Sequence, residues 1–328
     1  MLEDRPRLSH HILSIKNAEA SLAFYQQRLG MTLVDQMERS GDGGRERFYF
    51  LGYAPPPTTL LVLHQCLESR VLANQEDYRH NKLDGYWKIG ITLRDVDMAR
   101  ERLIAAGIEV NKPTQFRDIG YLCHLADPSG YNIELLQHDF AANFCTARVD
   151  PQCPLGSIPT LGQITLRIKD PTPSLHFYCT LLGMKLLSRQ VVSPYRFTLY
   201  FLACSDEQPP DADIDAIGNR EWLWKRPYTS LELQHNWDTP SDFRYSQQAD
   251  NALGFRGIGF ETRELPKLIH RLETAGFPAI KDRDWGLGSE ISVSDPDGHR
   301  VHFLDAQGKG NLELPNHTRK SHAQGRNA

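Results

Sequence analysis

The sequence predicts an α+β chain of four βαβββ modules arranged in two halves. Two observations carry this. First, the chain repeats itself in order. SLAFYQQRLGMTL (residues 21–33) recurs as SLHFYCTLLGMKL (174–186), and GYWKIGITLRD (85–95) recurs as GFRGIGFETRE (254–264). ADPSGYNIELL (126–136) returns as SDPDGHRVHFL (294–304). Repeats in one order mark a duplication. Second, polarity alternates along the strand candidates with the period-2 signature of a half-buried sheet.

Each element follows from local chemistry. In the first module HHILSIKN (10–17) reads as a strand, and its counterpart in the third is QITLRIKD (163–170). Residues 21–29 read as a helix, with Leu22, Tyr25 and Leu29 at helical spacing and Gly30 at the C′ position. FYFLGY (48–53) and LYFLAC (199–204) are the matching strands that follow. Helices are predicted at 97–106 and 265–275, stopped by Gly107 and Gly276. The D-P-x-G sequences at 127–130 and 295–298 are turn signals before a last strand. The aromatics Phe24, Tyr25, Phe177 and Tyr178 fall at core spacing and receive no functional role.

The modules span roughly 8–65, 85–138, 161–237 and 254–306. The N-terminal half is placed at 1–138, a Pro-containing linker at 139–159, the C-terminal half at 160–306, and a polar, disordered tail at 307–328. Residues 205–227 and 238–251 read as irregular surface excursions.

Three strands bring polar groups to one face. In 230–237 Ser230, Glu232 and Gln234 oppose Leu231, Leu233 and His235, with His235 expected to pack. In 162–168 Gln163, Thr165 and Arg167 share a face, and in 131–137 Asn132, Glu134 and Leu136 do. Polar side chains carried inward from a sheet make a lined cup.

The bulk numbers narrow the classes. A chain of 328 residues, 40% hydrophobic and 24% charged, suffices for two cored domains. A net charge of −4 gives no electrostatic grip on nucleic acid or an anionic membrane. The opening MLEDRPRLSH lacks an apolar signal region, and no run is long enough to span a bilayer, so a cytoplasmic setting is expected. The six cysteines are scattered without a C-x-x-C pair and read as reduced thiols.

These modules resemble the vicinal oxygen chelate superfamily over nearly the whole chain. The third, QITLRIKDPTPSLHFYCTLLGMKLLSR followed by RFTLYFLA and TSLELQHNW, is similar to the glyoxalase I (lactoylglutathione lyase) family in its two-domain form. The resemblance implies that modules pair into two incomplete barrels, each around a divalent metal such as Ni, Zn, Co or Mn. Each metal takes a Gln or His, a Glu, a His and a Glu. Carried over, Gln163 and Glu232 are metal ligands from the third module and Glu134 from the second, with Lys88 in the expected His position. The remaining set is His10, Leu61, Gly257 and His302, which lacks a carboxylate. In two-domain members modules two and three pair, and one and four; closure of each half on itself stays open from sequence.

The implied reaction isomerises the hemithioacetal of methylglyoxal and glutathione to S-lactoylglutathione by metal-assisted proton transfer. Glu134 is then the base and Glu232 a metal ligand or second acid/base. Arg167 and Asn236 match contacts to the glutathione γ-glutamyl end, and Lys88 can reach the substrate. One competent site and one decayed site are expected, in a monomer. The alternatives are a metal-free small-molecule binder of the same fold, or a family enzyme with another substrate; an extradiol dioxygenase needs two His and one Glu around iron, which these sets fit poorly.

Overall fold

In the computed structural model the described residues are 5–41, 44–53, 59–68, 76–146, 150–157, 159–246, 252–281, 287 and 291–306. The predicted tail lies outside them.

The first module contributes β1 (Arg7–Ser14), β2 (Thr32–Gly41), β3 (Gly44–Gly52) and β4 (Leu60–Cys66). The second contributes β5 (Tyr86–Leu93), β6 (Thr114–Phe116), β7 (Gly120–Ala126) and β8 (Asn132–Gln137). The third has β9 (Thr160–Ile168), β10 (Lys185–Val192), β11 (Phe197–Ala203) and β12 (Ser230–Asn236). The fourth has β13 (Gly254–Thr262), β14 (Ile280–Lys281), β15 (Ile291–Ser294) and β16 (Arg300–Asp305). They form two eight-stranded sheets, ordered β14-β15-β16-β13-β1-β4-β3-β2 and β10-β11-β12-β9-β5-β8-β7-β6. Module one is therefore sewn to module four, and module two to module three. The seams are the antiparallel pairs β1–β13 and β5–β9.

The helices tie the modules together the other way. Asn17 caps α1 (Ala18–Leu22) through its side chain. The helix continues through residue 28 with widened turns closed by Leu29 N–H to Phe24 C=O. The third module repeats this from Pro171, with Leu182 N–H donating to Phe177 C=O. The Tyr25 hydroxyl donates to Asp127 at 3.0 Å, and the Tyr178 hydroxyl to Asp295 at 2.8 Å. Those aspartates head the two D-P-x-G turns, so helices of modules one and three lock onto turns of modules two and four. One hydrophobic core runs through all four modules, from Tyr25 and Ile91 to Phe177 and Phe260.

The turn at 127–130 is tightly built. Gly130 sits at φ +94°, and a Cβ there would stand 2.1 Å from the Tyr78 carbonyl oxygen. Gly130→Ala should therefore cost about 2–4 kcal/mol, from backbone strain plus overpacking. A urea midpoint equal to wild type would contradict this.

Two sequence expectations are corrected. The stretch 205–227 is not wholly irregular, because Gly218–Trp224 forms a helix whose Leu223 and Trp224 are buried. His235 is half-buried at the end of β12 rather than packed in the core.

Candidate functional site

The site grows from the β5–β9 seam. In that register Gly90 faces Gln163. A Cβ at Gly90 would come within 2.3 Å of Gln163 Cγ, so glycine leaves the space the Gln163 side chain crosses. The parallel neighbours β8 and β12 deliver Glu134 and Glu232 from either side. All three side chains are buried, as sequence alternation predicts for the cup face.

They converge on Lys88. Its Nζ donates to Glu134 Oε1 at 2.9 Å and to Glu232 Oε2 at 3.2 Å. Gln163 Nε2 donates to the same two oxygens, at 2.7 and 2.9 Å. Thr165 Oγ1 adds a 2.7 Å bond to Glu232 Oε2. On the outer side His124 Nε2 lies 3.1 Å from Glu134 Oε2, out of line for a hydrogen bond.

The two carboxyls are pushed apart electrically. Burial favours the neutral acid in both. At Glu134 the charge of Lys88, with the nearby His124 imidazole, outweighs burial and holds the group below the usual carboxylate range. At Glu232 burial and the neighbouring Glu134 charge win over Lys88, and the group is raised. At Lys88 burial disfavours the ammonium, but the two carboxylates more than compensate and raise its pKa. The site thus holds one firmly ionised carboxylate, one displaced toward its neutral form, and one fixed cation.

Above this cluster is a cavity of about 40 Å³, little more than one water. Its wall is apolar, formed by Phe116, Leu122, Leu136, Phe201 and Trp224, with Trp87 at its edge. Trp224 comes from the helix that sequence reading left as irregular chain, and its indole N–H donates to the Ile119 carbonyl at 3.0 Å. Trp87 is a second residue that sequence reading missed. The register of β5 slips between Tyr86 and Lys88, and the irregularity brings both Trp87 and Lys88 to the cavity. Lys88 Nζ lies 4.8 Å from the Trp87 ring centroid and the Arg167 guanidinium 5.4 Å.

Arg167 is close but committed. Its guanidinium donates to the carbonyls of Asn81 and Asp84 at 2.9 and 3.1 Å and lies 2.7 Å from His80 Nε2. It is 7% exposed. Asn236, two residues past Gln234, accepts from the Gln234 amide at 3.0 Å.

Whether this donor set suits the divalent ion implied by the family resemblance can be tested on the geometry. Gln163, Glu134 and Glu232 converge, but the oxygens facing inward already take N–H donors from Lys88 and Gln163. The Gln163 amide presents its nitrogen to the acids, which leaves its buried Oε1 without a hydrogen-bond partner. Lys88 is 2% exposed. Unit charges 4 Å apart interact by about 4 kcal/mol at an effective dielectric of 20, so a dication beside Lys88 would be repelled roughly twice as strongly. As arranged, the residues do not fit a metal. Among the described residues no group of three or more His, Cys, Asp or Glu is placed to hold one.

The positions equivalent to Gln163, Lys88 and Glu134 at the β1–β13 seam hold His10, Gly257 and His302. The equivalent of Glu232 is Val62, paired with Phe50 as Glu232 is with Phe201, and not the Leu61 that the sequence suggested, which packs in the main core one residue out of phase. The two imidazoles stack with centroids 6.0 Å apart. His10 accepts or donates at Nδ1 with Ser9 Oγ at 3.0 Å, and His302 Nε2 lies 3.1 Å from the Arg256 carbonyl. Burial, then the His302 charge, hold His10 well below the ordinary imidazole range. Ile12, Phe48, Phe50 and Val62 give that cup an apolar lining, beside a buried His64–Glu46 pair 3.1 Å apart whose imidazole stacks on Phe48. The six cysteines form no disulfide.

Comparison with known proteins agrees with the duplication. The profile of the Glyoxalase/Bleomycin resistance protein/Dioxygenase superfamily matches residues 7–135 and again 160–303. Lactoylglutathione lyase of Pseudomonas aeruginosa is 38% identical over 149 residues, which cover 45% of this chain and 82% of that protein. Glyoxalase I of Saccharomyces cerevisiae is 25% identical over 320 residues, covering 90% of this chain and 91% of that one. The crystal structure of glyoxalase I from Zea mays superposes with a TM-score of 0.67 at 21% identity, covering 92% and 93% of the two chains, and shows the shared fold.

Proposed function

The chain belongs to the Glyoxalase/Bleomycin resistance protein/Dioxygenase superfamily, and within it we propose that modules two and three form the active centre of a lactoylglutathione-lyase-type enzyme. The substrate is the hemithioacetal of methylglyoxal and glutathione, and the product is S-lactoylglutathione. The observation that carries this is the pair of buried carboxylates, Glu134 and Glu232, held on one cation at the base of an apolar cup. Moving a proton between adjacent carbons requires a base, an acid/base partner and a positive charge beside the developing enediolate. Glu134, Glu232 and Lys88 supply those three roles. Glu134 is ready as base because it stays ionised. Glu232, displaced toward its neutral form, handles the hydroxyl proton.

Arg167 holds the 81–84 segment at the edge of the site, and we assign that edge, with Asn236, to the γ-glutamyl end of the thiol, Arg167 acting by positioning the segment. The second cup, which carries no carboxylate at the positions equivalent to Glu134 and Glu232, is proposed as catalytically silent. The setting proposed is a cytoplasmic monomer, since each sheet joins within one chain the two modules that a shorter relative would gather by dimerising. Among the described residues no helix is long and apolar enough to cross a membrane.

Methylglyoxal, glutathione and the purified protein should together produce S-lactoylglutathione, followed by its thioester absorbance. Absence of product under every metal condition would overturn the lyase reading. It would favour a binder of small apolar ligands, for which the aromatic cup wall speaks.

A further inference from the structure

We propose that the Lys88 ammonium is the electrophile of this site, standing where a divalent ion would stand, so that the isomerisation runs without metal. This rests on the lyase reading above.

Four N–H···O contacts, from Lys88 and Gln163, close on the same two oxygens, Glu134 Oε1 and Glu232 Oε2. The point between the acids is therefore already occupied by positive charge and by amide donors. Lys88 is enclosed by the sheet and by Trp87, so its displacement by a metal would strand a charge in the core. The opposite barrel lacks this device. Gly257 stands at the equivalent position, and the His302 imidazole occupies the space that a side chain there would need, 2.5 Å from a built Cβ.

An ammonium has three donors, and the two carboxylates use two of them. The third is available to the substrate's carbonyl oxygen. Glu134 takes the proton from the carbon that bears sulfur. The electron pair left behind forms the C1–C2 double bond, and the C2 oxygen becomes anionic. Lys88 donates to that oxygen and, in turning to it, loosens its hold on Glu134, which makes Glu134 a stronger base at that moment. Glu134 then returns the proton to C2. The C1 hydroxyl proton passes by way of Glu232 to the C2 oxygen, and C1 becomes the thioester carbonyl. One carbon is oxidised and its neighbour reduced within one molecule, so no co-reactant is required.

The test uses the full chain, stripped with a chelator and checked for metal by mass spectrometry. The stripped wild type should turn over, and Ni, Co, Mn or Zn should leave its rate unchanged. Equilibrium dialysis with each metal should show no stoichiometric uptake. Lys88→Met should lose on the order of 10²–10³-fold in turnover. Lys88→His, which removes the ammonium and offers an imidazole, should acquire stoichiometric metal uptake. Turnover that appears only on metal loading, or one equivalent of metal bound by wild type, overturns the inference and leaves the lyase reading standing. Lys88→Met that folds and works like wild type also overturns it. No product with or without metal brings down the lyase reading and the inference together. Should Lys88→Met fail to fold, the stripped wild type still decides.

Discussion

Glu134→Gln should lower kcat for the hemithioacetal by about 10²–10⁴-fold, the range over which a positioned general base contributes. The exchange keeps the shape of the side chain and removes its charge. Lys88 would keep Glu232 as a partner, and Gln163 could still donate to the new amide's oxygen. KM should move little, because the carboxylate acts at the step in which the proton leaves and not in holding the thiol. Steady-state kinetics with the two parameters separated is the measurement. A variant within about tenfold of wild type would remove Glu134 from the role of base. The alternative base is Glu232, and a Glu232→Gln variant with the larger loss would reverse the assignment.

The second large effect concerns stability and lies away from this cup. His11 on β1 is fully buried, with neither ring nitrogen hydrogen-bonded. Its ring stacks on Tyr86 at 5.9 Å and lies 6.4 Å from Phe255, so it sits where the two sheets meet. Burial pushes its pKa down to about 3. In the unfolded chain the same imidazole takes a proton below about pH 6.5. Below that pH the unfolded state binds more protons, and stability falls as pH falls. The loss is about 1.4 kcal/mol per pH unit from 6.5 until the folded group itself titrates near 3. Urea unfolding from pH 7 to pH 4 should therefore show a shallower decline for His11→Phe than for wild type. Parallel curves would mean that His11 is not the group responsible.

Much of this architecture was legible in the chain because period-2 alternation and ordered repeats are local facts. The alternation in 162–168 and 230–236 put Gln163, Thr165 and Glu232 on one face, and that is the face that lines the site. The contact between Lys88 and both acids followed once modules two and three were paired, a choice that rests on the β5–β9 seam and that no single strand encodes. Trp87 was hidden for a different reason. Strict alternation sets it opposite Lys88, and only the slipped register brings both to the cavity. Trp224 was hidden because its helix is two turns long and sits in a stretch rich in Asp and Pro, where the apolar pattern is too short to stand out. The engagement of Arg167 with Asn81 and Asp84 depends on how the chain folds back before β5, which side-chain spacing does not report.

The nested stitching of the sheets also sets an order in time. The second and third modules are neighbours in the chain, so their seam can close soon after β9 is made. The outer seam waits much longer: Arg7 of β1 pairs across to Glu261, 254 residues later. At roughly 5–20 residues per second of synthesis, β1, whose other side pairs with β4, spends some 13–50 s without β13. During that interval β1 is an edge strand open on one side, one on which the buried His10, His11, Ile12 and Leu13 stand in sequence. An unpaired apolar edge is a template for a wrong strand. The cup around Lys88 can thus be complete on the ribosome while the first residues of the chain are still waiting for the last quarter to arrive, and it is the barrel around His10 and His302 that carries the hazard of the fold.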